Sequence, residues 1–245
     1  MKSLLNLPIG VIDSGIGGLS VLDKLVKKFP KESFIYYGDN QNAPYGNKPI
    51  STLKNRFNFM VETLSNRGIK GLVIACNTLS THLYNEIENL YPFFIVPTFP
   101  PVVKGDGVYL ACTTNTAKSQ FAIDNYNDKI IPFGDLAKKI EDNVFNLNSL
   151  NLLSYFEDYM GKIKTLVLGC THYSFLSENL RAFLGANTVD GYTDILNAVE
   201  FELNKRKILS NNTQSITFIG NSKSFNKMVF ERVFCHTSGY KLKKN

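Results

Sequence analysis

The sequence predicts an α/β protein of two pseudo-symmetric, doubly wound halves, with mainly parallel sheets and an active site in the cleft between them. Apolar runs of strand length alternate with segments of helical periodicity, which is typical of βαβ units. One phrase also occurs twice, as LVIACNT at residues 72–78 and as LVLGCTH at residues 166–172. A strand that ends twice in a cysteine indicates two related halves, each bringing one thiol to the edge of its sheet.

The predicted strands are spaced so that a helix fits between most of them. They are IGVID (9–13), FIYYGD (34–39), LVIAC (72–76), FFIV (93–96), GVYLACT (107–113), KIIPF (129–133), TLVLGC (165–170) and SITFIG (215–220). Helical spacing follows the first three, over residues 19–29, 50–66 and 78–90. The proline- and glycine-rich stretch 96–107 predicts a boundary. We therefore expect units at 1–97 and 98–215, with 216–245 returning as a strand and helix to the first half.

Composition narrows the class of protein. The chain has 245 residues, of which 44% are hydrophobic and 20% charged, as in globular proteins. No apolar run approaches the roughly 20 residues of a membrane helix, and the N-terminus lacks the pattern of a signal peptide. The formal charge of +6 is dispersed except for a basic tail at 241–245. We expect a cytoplasmic protein without a membrane partner, and we do not expect nucleic-acid binding.

The four cysteines show no CxxC spacing, which argues against a structural zinc site and favours free thiols. Cys76 and Cys170 are the two that end the repeated strands. From the residues alone they could be buried core thiols, a redox pair, or two opposed acid–base groups. A helix that begins just after each sulfur would stabilise a thiolate.

Polar residues at other strand ends are further candidates. Asp13 ends the first strand within IDSGIGGLS, and Ser14 follows it. A phosphate-binding Walker loop is excluded because no GK[ST] follows. A dinucleotide-binding turn stays open, although Ser20 stands at its third glycine position, because Asp39 lies where a ribose could be held. The simplest alternative is a buried aspartate at a tight strand-to-helix turn.

The three histidines differ in their surroundings. His172 lies two residues after a strand-end cysteine, so it is either a core histidine or a proton donor. His82 and His236 have no such neighbours, and we expect them to be structural or exposed. APYG (43–46) predicts a turn with an aromatic hydroxyl at its tip.

Four motifs in one order resemble those of the glutamate racemase family: DSGIGGLSV, GDNQNAPYG, ACNT and GCTHYSFL. The resemblance covers residues 9 to about 197 and implies two α/β halves around an active site that uses no cofactor and no metal. It implies that Cys76 and Cys170 are the catalytic thiols, with Asp13 assisting the first and His172 the second. It further implies a set of substrate-binding residues: Ser14, Tyr45, Gly46, Asn77, Thr78, Thr116 and Thr171.

The same resemblance implies a function. The protein would interconvert L- and D-glutamate by a two-base mechanism, supply D-glutamate for peptidoglycan synthesis, and form a homodimer. A racemase for aspartate or another amino acid, and a weakly catalytic relative that acts as a binding protein, remain alternatives. Two departures bear on substrate size: Asn40 and Asn42 replace arginine-containing family sequence, and Asp135 lies near a usual glutamate.

Overall fold

The computed structural model describes residues 4–234. Its strands are β1 (Ile9–Asp13), β2 (Phe34–Gly38), β3 (Gly71–Ile74), β4 (Phe94–Pro97), β5 (Val108–Thr113), β6 (Ile130–Phe133), β7 (Thr165–Gly169), β8 (Asn187–Val189) and β9 (Ile216–Ile219). Its helices are α1 (Gly18–Lys28), α2 (Ile50–Ser65), α3 (Asn77–Ile87), α4 (Thr114–Ala117), α5 (Gln120–Tyr126), α6 (Leu136–Asp142), α7 (Leu153–Phe156), α8 (Ser177–Leu184), α9 (Tyr192–Lys205) and α10 (Lys223–Val233). Predictions for Cys235, His236 and the basic tail lie outside the described residues.

The strands form two parallel sheets, which confirms the predicted α/β class. The first sheet has the order β4-β3-β1-β2-β9 and the second has the order β6-β5-β7-β8. All paired strands run parallel, with helices interleaved along the chain. All eight predicted strands are present. The ninth, β8, has only three residues, too few to show a hydrophobic period.

Each sheet is covered by apolar side chains on both faces, because helices such as α1, α2, α6 and α9 turn an apolar stripe inward. Ile195, Val199 and Leu203 of α9 are buried in a core of the first half, together with the α1 residues Leu22 and Val26. This packing favours a return of the chain to the first half near residue 190 rather than at the expected 216. Strand β9 then pairs with β2 in the same half.

No helix within residues 4–234 is long and apolar enough to cross a membrane.

Candidate active site

The two repeated cysteines line one cavity between the halves. Cys76 follows β3 and directly precedes α3, and Cys170 follows β7. Their exposures are 5% and 7%, so both thiols are buried. Parallel strands place their carboxyl ends at one sheet edge, and here the two edges face one another across the cavity. The prediction that the thiols meet at a shared cleft is therefore confirmed in its geometry.

The cavity combines residues from both halves and is nearly closed. Its volume of about 10 Å³ admits roughly one water molecule. Small-molecule pockets usually occupy about 300 Å³ or more. The lining residues are Ser14, Pro44, Tyr45, Gly46, Cys76, Asn77, Thr78, Thr113, Ala137, Cys170, Thr171 and His172. Nine of the eleven candidates are in this set; Asp13 and Thr116 lie behind it, each one hydrogen bond away.

Cys76 has an environment that favours the neutral thiol. Its Sγ lies 3.9 Å from the Ser14 hydroxyl oxygen. Burial, reinforced by the charge of Asp13, raises the pKa of the Cys76 thiol to about 12. A hydrogen bond from the Leu79 backbone N–H, at the start of α3, opposes that shift. At neutral pH, therefore, the buried thiol keeps its proton in the closed cavity.

Asp13 links the turn after β1 in the first half to the second half. It is fully buried, and its carboxylate accepts hydrogen bonds from the Gly15 backbone N–H at 2.9 Å and from the Thr171 hydroxyl at 3.2 Å. Burial raises the pKa of Asp13, while the neighbouring His172 lowers it. Asp13 thus lies within electrostatic reach of Cys76 and is fixed by a residue next to Cys170.

His172 is held between Cys170 and a glutamate that sequence analysis missed. Its Nδ1 lies 3.8 Å from Cys170 Sγ and its Nε2 lies 2.9 Å from Glu141 Oε1. Burial alone would lower the pKa of His172, but the contacts with Cys170 and Glu141 outweigh it and raise that pKa well above its ordinary value. Since Glu141 is almost buried, it serves as the counter-ion of a protonated His172.

Asp135, which lies near a usual glutamate of the family in the sequence, does not line the cavity. Asp135 is exposed, and its carboxylate pairs with Lys139 and accepts a hydrogen bond from Tyr155. The acidic side chain that contacts His172 is instead Glu141, in the last turn of α6. In the sequence Glu141 stands beside Asp142, close to two lysines, which reads as an ordinary solvated helix face.

The glycine-rich turn after β1 receives side chains from the second half. Glu141 Oε1 accepts a hydrogen bond from the Ile16 backbone N–H at 2.8 Å, and a Cβ on Gly15 would overlap that carboxylate. A Cβ on Gly17 would overlap Thr171 and His172. The glycines permit close approach of the two halves, rather than the phosphate contact of a dinucleotide-binding turn.

Three threonine hydroxyls meet at the other side of the cavity. Thr78 Oγ1 lies 3.0 Å from Thr113 Oγ1 and 3.2 Å from Thr116 Oγ1. Thr113, which sequence analysis missed, accepts the Thr116 backbone N–H and lines the cavity. Its position at the end of β5 is the sequence feature that could have identified it as a site residue. The trio supplies hydroxyls that could rotate toward a bound carboxylate.

Tyr45 is oriented by an ion pair. Its hydroxyl donates to Asp39, and Arg56 binds both oxygens of the same carboxylate at 2.8 and 2.9 Å. Asp39 is therefore committed to Arg56 and Tyr45, which argues against a ribose there. Arg56 supplies a guanidinium beside the GDNQNAPYG loop, where the sequence lacks the family's arginine.

Among residues 4–234, no group of three or more His, Cys, Asp or Glu could hold a metal ion. In the same range Cys76, Cys112 and Cys170 are free thiols. His82, predicted to be structural or exposed, is half-buried and contacts the Asn115 carbonyl oxygen through Nε2 at 2.9 Å.

Known proteins resemble this chain in sequence and in fold. No family model matches the chain. The glutamate racemase of Clostridium acetobutylicum is 35% identical over 226 residues, which cover 85% of this chain and 88% of that protein. The glutamate racemase of Francisella tularensis, solved with D-glutamate, is 25% identical, with a TM-score of 0.74 and coverage of 93% and 94%. That of Escherichia coli, solved with L-glutamate and the activator UDP-MurNAc-Ala, is 25% identical, with a TM-score of 0.74 and coverage of 92% and 95%. By its sequence and its fold, the chain belongs to the glutamate racemase family.

Proposed function

We propose that this protein interconverts L- and D-glutamate by moving the α-proton between two thiols, without a cofactor. The observation that carries the proposal is one cavity lined by a cysteine from each half. The relatives that share the fold include structures with either enantiomer of glutamate bound. Family membership and cavity chemistry support the same reaction.

Inversion of an α-carbon requires a base on one face and an acid on the other. His172 Nδ1 lies 3.8 Å from Cys170 Sγ and can hold that thiol's proton, while Cys76 keeps its own proton. The Cys170 thiolate then takes the α-proton, and the Cys76 S–H delivers its proton to the opposite face. The C–H bond broken on one side is replaced by one on the other, and the thiolate has moved to Cys76. The reverse direction exchanges the two roles.

Glutamate would be held by neutral donors. Among the described residues, those lining the cavity include no Lys or Arg. The Ser14, Thr78 and Thr113 hydroxyls, the Asn77 amide and the backbone N–H groups at the start of α3 are available for the carboxylates. These donors, fixed within a dry cavity, would stabilise charge that develops as the α-proton leaves.

Substrate binding requires the halves to separate. A cavity of about 10 Å³ cannot contain an amino acid, so substrate must enter an opened form and be enclosed afterwards. Closure would exclude water and strengthen each polar contact with the substrate.

We further propose that the reaction takes place in the cytoplasm, that its D-glutamate supplies peptidoglycan synthesis, and that the protein acts as a homodimer. The first two follow from the metabolic use of D-glutamate in this family, and the third from the resemblance alone. Sedimentation equilibrium tests the dimer. Because the Escherichia coli relative was solved with UDP-MurNAc-Ala as activator, the effect of that compound on the rate is worth measuring here.

The decisive experiment follows L-glutamate and, separately, L-aspartate in heavy water without added cofactor. We expect optical rotation of glutamate to decay to zero while deuterium enters the α-position. Cys76→Ser and Cys170→Ser should each abolish racemisation, and Cys112→Ala, outside the cavity, should not. Inversion of aspartate alone would keep the mechanism and overturn the substrate. No exchange with either amino acid would favour the binding-protein alternative.

A further inference from the structure

The loop of residues 43–48 closes one side of the cavity. It belongs to the first half, between β2 and α2, and its Pro44, Tyr45 and Gly46 line the cavity. Gly46 packs so closely on Thr113 of the second half that a Cβ would overlap the threonine side chain. Because the cavity is too small for substrate, this loop and the second half must part before glutamate enters.

Asn115, in α4 of the second half, fastens that loop with three hydrogen bonds. Its backbone N–H donates to the Gly46 carbonyl at 2.7 Å. Its side-chain Nδ2 donates to the Tyr45 carbonyl at 3.0 Å and to the Lys48 carbonyl at 2.8 Å. Both protons of one amide are therefore spent on the two ends of a four-residue turn.

The position of Asn115 is itself fixed from the first half. Its carbonyl oxygen lies 2.9 Å from His82 Nε2, which can donate to it. Within the same loop, the Asn47 amide donates to the Gly134 carbonyl of the second half. Asn115 does not line the cavity, so these bonds hold the loop closed without touching the space for substrate.

We propose that Asn115 is a positioning residue whose side-chain amide latches the 43–48 loop onto the second half and so sets the balance between open and closed cavity. The latch acts through Tyr45 and Gly46, whose backbone it holds, and not on the reacting atoms. The effect of the latch on glutamate binding rests on the proposed function. The effect of the latch on the opening of the cavity is independent of that function.

The buried thiols report that opening directly. Iodoacetamide can reach Cys76 and Cys170 only when the cavity opens, so their alkylation rates follow the open fraction. Cys112, which is fully buried in β5 and outside the cavity, reports unfolding instead. Mass spectrometry of the peptides separates the three sites in one sample of the full chain.

We expect Asn115→Ala to raise the alkylation rates of Cys76 and Cys170 by about tenfold to a hundredfold, because that is the change in an equilibrium expected from losing two hydrogen bonds. Cys112 should stay protected. Asn115→Asp, which has the same size but no donor, should behave alike. Asn47→Ala should give a smaller increase, and it alters only an exposed side chain. Asn125→Ala is the matched control, because its amide bonds only within its own helix, to Phe121.

A parallel measurement of turnover should show a larger change in KM for glutamate than in kcat for Asn115→Ala, because the latch acts on the opening of the cavity and not on the reacting atoms. Thiol rates equal to those of Asn125→Ala, or a parallel rise at Cys112, would overturn the latch. Faster labelling of the two cavity thiols in a protein that racemises nothing would keep the latch and reject only the proposed function.

Discussion

The buried ion pair between Lys70 and Glu32 joins four separate stretches of the chain, at residues 5, 32, 70 and 208–210. Lys70 Nζ lies 2.6 Å from Glu32 Oε2 and donates to the carbonyl oxygens of Leu5 at 2.9 Å and Ile208 at 2.8 Å. The Ser210 backbone N–H donates to the other Glu32 oxygen at 2.8 Å. The two side chains are 0% and 2% exposed. Both charged groups of the pair are therefore buried away from water.

Lys70→Met should therefore be strongly destabilising. It leaves the Glu32 carboxylate buried without a counter-ion, which costs about 3–5 kcal/mol. The loss is a large part of the roughly 5–15 kcal/mol that stabilises an ordinary domain. Adding Glu32→Gln to Lys70→Met removes the orphaned charge and keeps an acceptor for Ser210. The double variant should regain at least about 2 kcal/mol.

Urea unfolding at pH 7, followed by circular dichroism, measures these differences. Lys138→Met is the matched control, because it disrupts an exposed pair with Asp142 and should cost less than about 1 kcal/mol. A loss of under about 1 kcal/mol in Lys70→Met would refute the reasoning. So would a double variant no more stable than the single one.

Three further outcomes follow from the site. Gly15→Ala should push the Glu141 carboxylate off the glycine turn and lower kcat/KM by about tenfold or more, measured by polarimetry; a normal rate would contradict the close approach. The pKa of His172 is raised, so its ion pair with Glu141 stabilises the fold fully below the ordinary histidine pKa. That stabilisation is lost as pH rises through the raised pKa. Glu141→Gln should therefore lower the free energy of unfolding more at pH 6 than at pH 10. Since the Asp13 charge adds to burial in raising the pKa of Cys76, Asp13→Asn should alkylate faster at that thiol at pH 8, and an unchanged rate would reject the coupling.

The strands and the paired thiols could be predicted from sequence because both are local signals. An apolar run between turn residues specifies a buried strand, and its last residue must lie at the sheet edge. The repeated phrase then indicated that two such edges exist. The residues alone left three interpretations of the thiols open: core residues, a redox pair or acid–base groups. The contact between Cys170 and His172 supports the third.

Glu141 and Arg56 could not be predicted because their roles depend on tertiary contact. Each lies on a helix whose charged neighbours resemble a solvated face, and only the docking of that helix brings one charged group into contact with a buried partner. The sheet against which α9 packs could not be predicted for a related reason. An amphipathic helix shows which face is buried but not against which sheet.

The position of β9 has a consequence for biosynthesis. The second sheet is continuous in sequence from residue 108 to residue 189, so it can form as soon as that stretch leaves the ribosome. The first sheet cannot: its edge strand, residues 216–219, is translated about 180 residues after β2, its partner. Until then the backbone groups along that edge of β2 are unpaired and open to strands of other chains. The nascent protein thus completes the second sheet before the first, and a chain that ended before β9 would leave this edge of β2 unpaired.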